Sequence, residues 1–146
     1  MSNIPEGTTW FGGPVDRCKV TLHISADKLD PDEVTILLGQ VPTSARRTGD
    51  LIFNSKGKQL GICRRGTWSL QHKPESDSIP EELETAILSL LSQLTSDLSA
   101  WSSLGAKYKI ALFCGLFLDA PNRGLELSAD LLKCLGDRGI QLGLDI

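Results

Sequence analysis

Spacings that carry chemistry are missing from this chain. Its 146 residues include only two histidines, four cysteines and one methionine. Two histidines cannot assemble a histidine-rich metal centre. Cys18, Cys63, Cys114 and Cys134 are 45, 51 and 20 residues apart, so no CxxC pair exists for zinc or redox work. A GxSxG nucleophile elbow is absent, as are the GxxxxGK and GxGxxG phosphate loops. No cofactor or metal is therefore expected, and neither His23 nor His72 has a catalytic partner suggested by spacing. No apolar run approaches the roughly 18 residues that span a bilayer. Residues 1–16 lack the basic and then apolar pattern of an export signal. A net charge of −3 speaks against duplex nucleic acid as a partner, because phosphate contacts need concentrated Lys and Arg. These absences lead to the expectation of a cytoplasmic protein with reduced cysteines.

What is present describes one α/β-type domain over residues 1–146. Residues 1–16 form an N-terminal extension in which Gly12 and Gly13 are expected to turn the Trp10-Phe11 pair onto the body. Between Cys18 and Ile24, apolar and polar residues alternate, with Lys19, Thr21 and His23 on the polar face of a half-buried strand. Asp30, Pro31 and Glu33 then announce a helix: a cap, a first-turn proline and a capping-box acid. Gly39 stops it. Residues 40–50 read as a loop, and two or three strands follow within 51–71. A polar connector over 73–78 leads to one long helix over about 80–101, whose leucines fall on a single stripe. Residues 109–118 are almost continuously apolar and predict a central strand buried on both faces, with Gly115 marking a bulge or a close backbone approach. Ser128 caps a short helix stopped by Gly136, and a final strand closes the chain.

Hairpins between the first two helices rule out strict βα alternation. They predict an α+β fold: a mixed, mostly antiparallel sheet with helices packed on one face, a ferredoxin-like core and an extra helix-strand unit.

Charge is unevenly distributed. Arg46, Arg47, Lys56, Lys58, Arg64 and Arg65 crowd one stretch with only Asp50 to offset them. The following segment carries Glu81, Glu82 and Glu84, which the dipole of the predicted helix would favour. Two binding modes follow. Glu81, Glu82 and Glu84, with Trp68 as an aromatic anchor, could dock a basic protein surface. Alternatively, Arg46, Arg47, Arg64 and Arg65 could hold a small molecule or an anion. No nucleophile or general base is identified, so a non-catalytic role is expected.

Several ordered landmarks belong together: LDPDEV over 29–34, Leu38-Gly39 with Pro42-Thr43, Gly49-Asp50 and TWSL over 67–70. Phe113 to Gly115, Leu127-Ser128 with Leu131-Leu132, and LGLDI over 142–146 complete the series. In this order the chain resembles a bacterial family described only as a domain of unknown function, number 4279. The resemblance runs from about residue 18 to 146 and implies a bacterial host, but it supplies no activity or site residues. Small, acidic, motif-free bacterial proteins of one domain suit a role as protein inhibitors. The most concrete expectation is an immunity protein for a toxin, and the alternative is a small-molecule or anion-binding regulatory domain.

Overall fold

The structure, a computed structural model, describes residues 17–74, 82–117 and 125–145. Eleven elements are defined there. They are β1 (Arg17–Ala26), α1 (Pro31–Leu38), β2 (Ser44–Arg46), β3 (Leu51–Phe53), β4 (Gln59–Ile62), β5 (Gly66–Gln71), α2 (Leu83–Ser92), α3 (Leu98–Lys107), β6 (Lys109–Phe117), α4 (Ala129–Asp137) and β7 (Gln141–Asp145). Five strands form one sheet in the order β2-β5-β1-β6-β7, and β3 pairs with β4 in a separate hairpin. All neighbours in the large sheet are antiparallel except β6 and β7, whose parallel pairing is joined through α4. The fold is α+β, as the order of elements in the sequence predicts.

Strand alternation divides the sheet into two faces. Val20, Leu22 and Ile24 of β1 align with Trp68 and Leu70 of β5 and with Ile110, Leu112 and Cys114 of β6. These residues share one core with Val34 and Leu38 of α1, Ile87 and Leu90 of α2, Trp101 and Leu104 of α3, and Leu131 and Leu135 of α4. All four helices therefore lie on the same side of the sheet. Each fully buried leucine or isoleucine contributes about 1.5–3 kcal/mol, which makes this face the main source of stability.

The helix signals in the sequence are realised with local changes. Asp30 Oδ1 accepts from the Asp32 N–H at 3.0 Å, and Gly39 adopts φ 73°, the left-handed turn that ends α1. Glu33 does not close the capping box; it binds Lys107 of α3 at 3.1 Å. Ser128 caps α4 through the Leu131 N–H. The helix runs past Gly136 to Asp137, and the chain turns at Gly139, φ 68°.

Three expectations need correction. The single long helix is two, because residues 93–97 interrupt it. Asp97 caps α3 by accepting from the Ser99 N–H at 3.0 Å, while the Thr95 N–H donates to Leu38 O and the Trp101 indole N–H to Thr95 O. The loop expected over 40–50 contains β2, a three-residue edge strand held by β5. Finally, β6 is central but its second face is only partly buried: Phe113 and Phe117 point away from the helices and are 51% and 43% exposed, while Ala111 beside them is covered. Gly115 sits in unbroken register between Lys19 and Asp145, so it marks no bulge. The connector residues 75–81, with Ser78 and Glu81, and the Trp10-Phe11 segment lie outside the described residues.

Candidate functional site

Across β2, β5 and β1 the sheet face opposite the helices is polar and partly open. Its residues come from the alternate positions of the same strands: Ser44 and Arg46 of β2, Thr67 and Ser69 of β5, and His23 and Ser25 of β1. The register sets Arg46 beside Thr67, and Ser44 beside Ser69, which in turn faces His23. The β3–β4 hairpin departs after Asp50 and returns at Cys63, joined by a Gly49 N–H to Cys63 O bond of 2.8 Å and a Cys63 N–H to Asp50 O bond of 2.7 Å. Between hairpin and sheet lies a cleft of about 440 Å³, lined by His23, Ser44, Arg46, Arg64, Arg65 and Ser69 among others.

Three guanidinium groups line this cleft, and their partners differ. Arg65 donates to Asp27 at 3.1 Å and more weakly to Ser25 Oγ at 3.4 Å. Arg46 and Arg64 make no ion pair among the described residues. The neighbouring Arg47 points the other way and bridges Asp30 and Asp32 of α1 at 3.0 and 2.9 Å. Desolvation alone would push the Asp30 carboxyl up; the Asp32 N–H and the Arg47 guanidinium outweigh it and hold the group below the usual carboxylate range. Arg47 thus clamps the start of α1 and is withdrawn from the cleft.

His23 and Ser69 form the centre of the cleft floor, with Nδ1 and Oγ 2.8 Å apart. Burial, and then the positive charges of Arg65 and Lys109, lower the His23 pKa below its ordinary value of 6.5. A neutral imidazole can accept from the Ser69 hydroxyl or donate to it, depending on tautomer. Chemically, the cleft offers several donors to a bound group and very little negative charge. Guanidiniums match carboxylate and phosphate oxygens in pairs, so an anion is the complement of this surface.

The sequence-derived docking residues are dispersed. Trp68 is fully buried on the helix face and donates its indole N–H to Thr35 Oγ1 at 3.1 Å, so it is core and not a surface anchor. Glu84 accepts from the N–H and hydroxyl of Ser128, tying α2 to the start of α4. Glu82 is exposed at the start of α2, and Glu81 lies outside the described residues. Asp50 accepts from the Arg47 N–H instead of entering the cleft, and His72 is buried and does not line the cleft. Ser44, Thr67 and Ser69 were not singled out from the sequence, although their alternation with Ala45, Trp68 and Leu70 already assigns them to the polar face.

These features define an α+β domain with a cationic cleft on the open side of a mixed sheet. By its sequence the chain belongs to the family described as domain of unknown function DUF4279, whose model matches residues 16–146. Comparison with curated proteins finds no match, and comparison with solved structures finds none either. Among the described residues no helix is long and apolar enough to cross a membrane, and no cluster of His, Cys, Asp and Glu could hold a metal ion.

Proposed function

We propose that this protein is a non-catalytic binding domain whose cleft takes a small anion, a carboxylate or phosphate group, between the hairpin and the sheet. One observation carries the reading. The chain places Arg46 and Arg64 beside Arg65 in one recess and gives the first two no carboxylate partner among the described residues. The same chain neutralises the adjacent Arg47 with two acids. The neutral His23–Ser69 pair adds uncharged donors that tolerate a bound anion. The four cysteines are thiols and not disulfides, which supports a reducing compartment, the cytoplasm of a bacterial host.

Titration calorimetry at low ionic strength, with sulfate and phosphate as probes, tests this. The double variant Arg46→Ala/Arg64→Ala should bind about tenfold more weakly or worse, whereas Arg47→Ala should keep its affinity. Equal affinities in the wild type and the double variant would remove the cleft from consideration.

A protein-docking role, with toxin immunity as its concrete form, is favoured by a different surface. Leu51, Phe53, Leu60 and Ile62 of the hairpin are each between 52% and 63% exposed. A cluster of exposed large apolar side chains on a two-stranded hairpin is unusual for a surface that meets only water. If this reading holds, a stoichiometric protein partner captured by the wild type is lost on Phe53→Ser/Leu60→Ser. Its retention on that variant, with loss on Glu82→Lys, would return the interface to the acidic helix end.

A further inference from the structure

We infer, resting on the anion reading above, that the ligand is an aromatic anion: its charged group sits among Arg65, Arg46 and His23, and its ring lies on a shelf formed by Phe113. The shelf begins where the cleft floor ends. The rings of His23 and Phe113 meet edge to face with centroids 6.1 Å apart at 67°, so the cationic and aromatic surfaces are continuous. Phe113 is a large aromatic left 51% exposed in the middle of an interior strand, on the face that a largely antiparallel sheet turns to solvent.

Its surroundings keep the shelf low. Ala111, next to His23 in the register, is small and buried. On β7 the residue paired with Phe113 is Gly143, and a Cβ there would come within 3.2 Å of the Phe113 ring. Glycine at 143 therefore lets the ring settle onto the backbone of β7 instead of standing off it. Adjacent strands are about 4.8 Å apart, so a ring on Phe113 lies roughly one strand beyond His23 and within reach of a charge held at the cleft edge. Aromatic pairing of this kind adds to simple burial and suits a flat ligand better than a bare inorganic ion.

Calorimetry at pH 8 with inorganic phosphate and with 1-naphthyl phosphate, both dianions there, separates the inference from the reading beneath it. The naphthyl ester should bind about tenfold more tightly than phosphate. Phe113→Ser should erase that gain and leave the phosphate affinity unchanged, and Phe113→Leu should keep part of the gain. Equal affinities for the two probes, or a naphthyl gain that survives Phe113→Ser, would overturn the aromatic shelf while the anion site stands. Failure of both probes to bind the wild type would overturn the anion site and the shelf together.

Discussion

The two faces of the sheet use alternate residues of the same strands and are put to different uses. Along β5, Trp68 and Leu70 point into the helix layer, while Thr67 and Ser69 point to the cleft. Along β1, Leu22 and Ile24 are fully buried, and His23 between them holds Ser69. The helix face is closed and apolar. The open face keeps polar groups and guanidiniums in a recess that the described residues do not fill. The difference separates what keeps this protein folded from what is left available for recognition, and substitution can test each side separately.

The largest effect belongs to the helix face. Trp68→Ala removes a fully buried indole and leaves Thr35 without its donor, and should cost about 4 kcal/mol in denaturant-induced unfolding. Its neighbour in sequence gives the contrast: Ser69→Ala on the cleft floor should cost about 1 kcal/mol or less. Equal costs would mean that the open face is as tightly packed as the core.

A second test lies where the two faces meet the loop after β1. A Cβ on Gly66 would come 2.8 Å from Leu29 Cβ and 3.2 Å from the Leu29 carbonyl oxygen. A backbone carbonyl cannot swing aside as a side chain does. Gly66→Ala should therefore destabilise by about 2–3 kcal/mol, and it should also shift the β5 end that carries Thr67. A loss under about 0.5 kcal/mol, within the range of ordinary surface substitutions, would show that the β1–α1 loop yields more readily than its packing implies.

Much of the helix face was legible in the sequence because its signals are local. The alternation over 18–24, the Asp30 and Ser128 caps and the Gly39 stop each need only a few neighbouring residues. The break between α2 and α3 is local too: Asp97 followed by Ser99 is a cap, but a leucine stripe that runs through it at unbroken helical spacing masks that signal. The cleft was legible only in composition. His23 and Ser69 are 46 residues apart, and their pairing depends on a strand register that no local pattern encodes. The separation of Arg46 from Arg47 required β2 to be seen as a strand, since only then do adjacent side chains leave by opposite faces. Pro42, Thr43 and Ser44 gave that segment the composition of a loop, and pairing with β5 overrode it.

The smallest effect expected is a slope with pH, and it links the two faces through one residue. His23 is held neutral by burial and by Arg65 and Lys109, with Arg46 across the cleft and Asp27 paired to Arg65. A histidine whose folded pKa lies below its unfolded value contributes stability that is fully present above the unfolded value, near 6.5. That contribution is lost as pH falls through this value toward the folded one. Acidification below pH 6.5 should therefore weaken the free protein, and His23→Asn should flatten that part of the stability curve. Bound sulfate reverses the preference, because a protonated His23 then faces an anion instead of only like charges. Sulfate affinity should rise as pH falls over the same interval, by less than about tenfold per unit for one coupled proton, and the rise should vanish in His23→Asn. An affinity that stays flat with pH in the wild type would place the anion away from His23, toward Arg64 and the hairpin.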